Sequence, residues 1–482
     1  MEILKMGTTI GAITVAGCIL QGSILGFKSF HKASKVGSAY KGKPKEIKEY
    51  LGTTGSILSK KIQLCEKSMY GHIGVFGKTG SYKSSGIYIP NLLSNDLPEQ
   101  SSLIISDVKG ELFEFTSWYQ EHICGREIKV FCPMNPERSI GINPLAICRS
   151  FSDVRSLAQT LLNNADKGIS DKSSGGAEWI TLSMPLLTAA LLYCRHKGED
   201  QCNVTTALDL VITQSDFELE MLFRNTTIEI QDQWGIYKTS LGAPGLAGSI
   251  KSTLASALQS FSDYKIATVT SKNDFEPTEL RKRPIALYII YSETQADYLA
   301  PLMATVFSQL INFNLDYFDK NKNSLAIFNY LDEFGNLGYI NGFNHIITAA
   351  RSRKFSLNLC IHDVRQLFRL YDQDLTYTML NNLTIKVVLP GISEPNTLDY
   401  ISKICGECEI EVRSETKSGD KVTVSKSKQK KRLYTDNEIR CLKDKTCIII
   451  VNNKQVVSDN LNIYFDEKLN RFYEDRIVMQ IL

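Results

Sequence analysis

The side chains best placed for chemistry in this 482-residue chain are Gly77–Ser84, reading GKTGSYKS, and the adjacent carboxylates Asp332 and Glu333. Hydrolysis of a nucleoside triphosphate needs backbone N–H groups aimed at phosphates, a cation on the terminal phosphates and a hydroxyl for Mg2+. Gly77, Gly80, Lys83 and Ser84 have the types and the spacing for those roles. Gly77 permits a sharp exit from a strand, Gly80 permits close backbone approach, and Lys83 can reach the β and γ phosphates. Lys78, Thr79, Ser81, Tyr82 and Ser85 complete the candidate cradle. Tyr82 stands where the pattern has its last glycine. A Cβ there is compatible with phosphate binding if φ is negative and the phenol turns outward, since the amide does the holding. Asp332 is suited to the Mg2+ shell and Glu333 to orienting and deprotonating the attacking water. The cofactors expected are therefore ATP and Mg2+.

Such a site requires an open α/β sheet to position it. MYGHIGVFG predicts a strand ahead of the loop, SSGIYIPNLLS a helix after it, and SSLIISD a second buried strand followed by a helix from Glu111. REIKVFC predicts a third extended run, leading into the turn-rich PMNPERSIGINP. Residues 151–275 change character to long helical periods, as an inserted all-helical domain would. Strand patterns return in RPIALYIIYS, SLAIFNYLDE, SLNLCIHD and TIKVVLP, alternating with helices. The expected division is 69–150 and 276–482 as two parts of a nucleotide-binding domain around that insertion, after a linker at 29–68. Residues 413–432 are polar and basic and read as a solvated loop or hairpin rather than a DNA-binding arm.

Composition narrows the rest. With 55 basic and 52 acidic residues the net charge is +3, so no global field marks a nucleic-acid binder. Twelve cysteines, Cys18 to Cys447, include only one close pair, Cys405 and Cys408, and favour reduced thiols over a zinc or redox site. Residues 8–27 are free of charge and about as long as the ~20 residues that cross a bilayer. Their eight Ile, Leu, Val and Phe residues supply only about −3 to −4 kcal/mol of insertion energy against Gln21 and four glycines. Lys28, Lys32, Lys35, Lys41, Lys43, Lys45 and Lys48 follow, with Lys5 alone before, so positive charge places the bulk of the chain in the cytoplasm. The expectation is a single-pass anchor, residues 1–28, in the cytoplasmic (inner) membrane.

Several passages in order carry a family resemblance. YLDEFGNLGYINGFNHIITAARSRKFSLNLCIHDVRQL resembles the Walker B region of the TraG/TraD-like coupling ATPases of conjugation and type IV secretion. ISDVKGELFEFTS resembles that family's DPKGE element, VFCPMNPERSIGINPL its Pro-Asn turn and EWITLSMPLLTAALLY the start of its helical domain. The likeness runs from about residue 69 to about 465. It implies a RecA-like P-loop NTPase sheet, a hexameric ring, and transfer of a relaxase–DNA complex, single-stranded DNA or a secreted protein into type IV secretion channel proteins. Arg351 matches the family's arginine finger, which meets a neighbouring subunit's γ-phosphate. His362 replaces the glutamine expected to sense that phosphate, and a histidine can donate one hydrogen bond there. Asp107, Lys109 and Glu111 fall on the DPKGE element, whose role the sequence does not supply. An FtsK/HerA-like DNA pump and a nucleotide-binding docking scaffold with little hydrolysis are the alternatives.

Overall fold

The apolar runs become strands buried along their length, β2 Ile73–Phe76, β3 Ser101–Asp107, β5 Ile285–Ile290, β6 Ala326–Leu331 and β7 Phe355–Ile361 in chain order. Uninterrupted burial is what a parallel sheet covered on both faces produces. The protein is represented by a computed structural model that describes residues 38–94, 96–98, 100–165, 176–243, 245–418 and 421–465. Its remaining sheet strands are β1 Lys41–Gly42, β4 Glu127–Phe131, β8 Ile385–Val388, β11 Thr446–Val451 and β12 Val456–Asn460. Their order is β1-β12-β11-β8-β2-β7-β6-β3-β5-β4. Every neighbouring pair from β8 to β4 is parallel, while β11 runs antiparallel to β8 and to β12.

Register decides which residues meet. Phe76 pairs with Ile361, Ser106 with Leu331 and Asp107 with Ile290. The residues that follow, Gly77, His362, Asp332 and Val108, therefore leave the sheet at one carboxyl edge, where open α/β sheets bind ligands. This is the large parallel α/β sheet expected from the alternation of apolar runs and helices.

The chain between β4 and β5 is helical, as its periodicity predicts: α3 Phe151–Asn163, α4 Gly176–Lys197, α5 Val204–Thr213, α6 Asp216–Phe223, α7 Ile228–Lys238, α8 Leu246–Ala257 and α9 Tyr264–Ser271. Earlier in the chain lie the helices α1 Ile89–Leu92 and α2 Glu111–His122. Side-chain caps fix several starts. Ser150 accepts from the Asp153 N–H, Asn203 from Thr206, and Ser215 with Glu218 closes a reciprocal capping box. The helices α10 Ala296–Lys320, α11 Phe343–Ala350 and α12 Val364–Tyr371 connect the later strands.

Residues 402–434 with residues 38–40 make a unit of their own, set apart from the one that holds the sheet and the helices above. Its main feature is a two-stranded ribbon, β9 Glu407–Ser418 with β10 Lys421–Arg432, so the basic stretch is a hairpin. Basic residues of β10 meet glutamates of β9, two on the diagonal and one directly opposite: Lys426 meets Glu411 at 3.3 Å, Lys428 meets Glu409 at 3.5 Å and Arg432 meets Glu407 at 3.9 Å. Much of the basic charge of β10 is thereby matched from β9. The candidate membrane segment 8–27 lies outside the described residues; among those described, no helix is long and apolar enough to cross a membrane. Likewise among the described residues, the cysteines are free thiols and no cluster of His, Cys, Asp and Glu forms a metal centre.

Candidate active site

The loop after β2 is closed by its own side chains. The Ser81 hydroxyl donates to the Lys78 carbonyl at 2.6 Å, and the Gly77 N–H reaches the Ile361 carbonyl at 3.2 Å. Gly80 has φ +78°, and a Cβ on it would meet nothing within 4 Å, so backbone conformation is what requires the glycine there. Lys83 is buried, and its Nζ donates to the Gly77 carbonyl at 3.0 Å, holding the cation inside the loop.

Tyr82 departs from expectation. Its φ is +70°, not negative, and its side chain is half-buried against the hydrophobic core. The position thus keeps the left-handed conformation that a glycine adopts freely, at a cost of roughly 1–2 kcal/mol for a residue with a Cβ. Packing of the ring offsets that strain. Beyond it the chain enters a wide turn, Ser84–Tyr88, in which the Ile89 N–H bonds back to the Ser84 carbonyl. Such π-type turns insert an extra residue and recur at functional sites.

β6 delivers the second element. Asp332 follows its last residue; its carbonyl accepts from the Ser106 hydroxyl at 2.8 Å, and its Oδ2 accepts from the Ser84 hydroxyl at 3.3 Å. Its Oδ1 is buried without a hydrogen-bond partner. Burial raises the Asp332 pKa, while Lys83, the Cys360 thiol and Ser84 pull it down. A buried, unsatisfied carboxylate oxygen beside a serine hydroxyl suits a hard cation. Mg2+ takes one or two protein oxygens and completes its shell from phosphates and water, so these donors fit it without an all-protein cage.

Glu333 adopts φ +51°, in the left-handed region, where a non-glycine residue is held only by its surroundings. Burial is the main cause of its raised pKa; Asp332 and Glu293 add to the effect, and Lys83 and His362 oppose it. A carboxylate so placed is a stronger base than an exposed one once ionised.

Both elements line one cleft of about 360 Å3, with Thr79, Gly80, Tyr82, Lys83, Ser84, Ser85, Asp332 and Glu333 on its wall. The DVKGE element lines it too, through Asp107, Val108, Lys109 and Glu111. Asp107 accepts from the Phe113 N–H at 2.8 Å and the Lys109 N–H at 3.3 Å, which anchors the turn carrying Lys109 into α2. Burial pushes its carboxyl up to about 7; the Phe113 N–H opposes this and Asp332 reinforces it. Phe115 and Tyr464 were not singled out from sequence, and no local motif flags them. They pack at 5.3 Å, and the Tyr464 N–H reaches the Ser85 carbonyl, giving the cleft an aromatic side.

Other sequence candidates lie off the wall. Gly77 sits beneath the loop as acceptor for Lys83, and Ser81 faces inward to Lys78. Lys78 leans over the tight turn at Gly391, where an added Cβ would lie 2.7 Å from its Cε. His362 follows β7 with Nδ1 3.2 Å from Asp363 Oδ2, and it is not among the cleft residues. Arg351 follows α11, exposed and away from the cleft, whereas Arg353 is tied to Asp319 at 2.7 and 2.9 Å.

A family model for type IV secretory system conjugative DNA transfer matches residues 29–480. The protein VirD4 of Rhizobium rhizogenes is 26% identical over 421 residues, spanning 84% of this chain and 60% of its own length. The conjugal transfer protein TraG of Escherichia coli is 23% identical over 404 residues, spanning 78% of this chain and 61% of its own length. The chain thus covers about three fifths of these relatives. In fold it resembles the bacterial conjugative coupling protein TrwBdeltaN70, with TM-score 0.72 at 17% identity, covering 95% of this chain and 100% of that one. The plasmid coupling protein TrwB in complex with ADP and Mg2+ aligns with TM-score 0.69 at 17% identity, over 91% of this chain and 95% of that one.

Proposed function

The chain belongs to the type IV secretory system conjugative DNA transfer family, and we propose that it is an ATP-driven coupling protein that hands a relaxase–DNA complex or a protein substrate to a type IV secretion channel. The observation that carries the reading is the meeting of Ser84 and Asp332 at 3.3 Å beside Lys83 and Glu333 in a single cleft. Complexes of TrwB with ADP and Mg2+ and with a non-hydrolysable ATP analogue support nucleotide as the ligand.

In this reading the loop amides from Gly77 to Ser84 cradle the phosphates, and Lys83 leaves the Gly77 carbonyl to bind the γ-phosphate. Ser84 and Asp332 hold Mg2+, which when bound neutralises charge developing on the phosphates. Glu333 orients the attacking water and accepts its proton. Arg351, exposed at the end of α11, serves a neighbouring subunit of a ring, and His362 reports on the γ-phosphate from the end of β7. Residues 8–27 anchor the chain in the cytoplasmic membrane, and single-stranded DNA is a candidate ligand of the assembled ring.

The test is DNA transfer from donor cells carrying wild type, Lys83→Ala or Glu333→Gln at equal protein levels. Loss of recipients with both variants is expected; undiminished transfer with either contradicts an ATP-driven role. Material that copurifies with Glu333→Gln then identifies the cargo as relaxase-linked DNA or as protein alone.

A further inference from the structure

Glu333 is not held by its own backbone turn alone. The Asn336 side-chain amide donates to Glu333 Oε2 at 2.7 Å, and the Gln366 amide in turn donates to Asn336 Oδ1 at 3.0 Å. The Gln366 N–H bonds to Asp363 Oδ1 at 2.7 Å, the N-cap of α12, one residue past His362. A chain of hydrogen bonds thus runs from the carboxylate at the end of β6 to the helix that begins at the end of β7. Oε1 of Glu333 takes no hydrogen bond from the described residues, which leaves it for water.

Gly335 makes the arrangement possible. A Cβ on it would lie 2.3 Å from Gln366 Cδ and 2.5 Å from its Oε1. The bare backbone therefore admits the Gln366 amide to Asn336. Both ends of the relay are partly buried, where a hydrogen bond is stronger than in water and an unpaired amide costs more.

Resting on the reading of Glu333 as the base, we infer that Asn336 and Gln366 are positioning residues for it. Asn336 fixes which carboxylate oxygen faces water, and Gln366 ties that choice to α12. A donor on Oε2 also favours the ionised carboxylate, against the burial that disfavours it. Movement of α12 relative to β6 would release the base without disturbing Lys83, Ser84 or Asp332.

Gly335→Ala is the most selective probe, because the clash falls on the far end of a flexible side chain and leaves the backbone in place. Gly335→Ala, Asn336→Ala and Gln366→Ala should each lower kcat about tenfold or more, the scale of a misplaced reacting group, with KM for Mg-ATP and nucleotide affinity by calorimetry within about threefold. Asn336→Asp should shift the acid limb of the kcat profile to higher pH, because a second carboxylate beside Glu333 resists its ionisation. Without nucleotide, the melting temperature of Asn336→Ala/Gln366→Ala should equal that of the lower single variant, since both break one chain of bonds. Additive melting losses, or equal losses of kcat and affinity with an unshifted pH profile, would overturn the relay. Glu333→Gln separates the two claims: full turnover by that variant removes Glu333 as base, whereas its inactivity beside normal Asn336→Ala and Gln366→Ala enzymes removes only the relay.

Discussion

Ser84 and Asp332 stand 248 residues apart in the chain, yet the serine hydroxyl donates to the aspartate Oδ2 at 3.3 Å. The contact follows from sheet order. β2, β7, β6 and β3 are parallel neighbours, so the loop after β2 and the carboxylates after β6 leave at one edge with β7 between them. The unpartnered Oδ1 of Asp332 is the group that this meeting leaves to a cation.

Tyr82 sets one prediction. Tyr82→Gly removes a left-handed strain of roughly 1–2 kcal/mol but loses the packing of a half-buried ring, worth a similar amount. Stability by urea unfolding should stay within about 1 kcal/mol of wild type, and nucleotide affinity within about threefold. Tyr82→Val, β-branched at positive φ, should destabilise by about 2 kcal/mol or more. A large loss of affinity in Tyr82→Gly would mean that the phenol itself contacts nucleotide.

Two buried groups titrate with opposite sign. Burial lowers the His72 pKa from 6.5 to about 4; its ring meets the Ile347 carbonyl at 2.8 Å and the Leu357 N–H at 3.1 Å. Its share of stability is full above pH 6.5 and is lost as pH falls toward 4, up to about 3 kcal/mol. Asp107 is raised to about 7, so its share is present at low pH and lost as pH rises through 7. Asp107→Asn removes that second slope and keeps one of the two acceptor oxygens. Its stability relative to wild type should be about 3 kcal/mol more favourable at pH 8 than at pH 5. A gap that does not change with pH would show that Asp107 does not titrate in this range.

The two arginines after α11 should separate cleanly. Arg353 is paired with Asp319 within its own chain, an exposed pair worth about 0.2–1 kcal/mol, so Arg353→Ala should cost stability on that scale and little turnover. Arg351→Ala should keep wild-type stability and nucleotide binding but lose turnover about 100-fold or more. Mixing Arg351→Ala with Lys83→Ala subunits should restore part of the phosphate release, since one supplies the loop and the other the finger. No recovery on mixing would argue that Arg351 does not act across subunits.

The sequence was informative where one residue type and one period suffice. Buried strands, the capped helices between β4 and β5, the glycine loop and the carboxylate pair after β6 all rest on local pattern, and the parallel sheet follows from their alternation. The conformation of Tyr82 was not legible, because a favourable ring packing outweighed a backbone rule. Nor was the grip on Glu333: Asn336 and Gln366 are 30 residues apart, and neither type is distinctive alone. Arg281 is a third case. It is buried, and its guanidinium bonds the carbonyls of Asn314, Leu325, Arg353 and Lys354, bracing the turn after Arg351. An arginine held by backbone carbonyls and by the Phe318 and Phe355 rings leaves no complementary charge for a sequence pattern to find.

The most direct measurement is Mg2+-dependent phosphate release from ATP by the purified full chain and by its Lys83→Ala variant, each with and without chelation of Mg2+. Wild type should turn over ATP and stop on chelation, while Lys83→Ala, equally folded, should fall to the level of buffer. Equal phosphate release by the two proteins would contradict the assignment of this cleft as the site of hydrolysis.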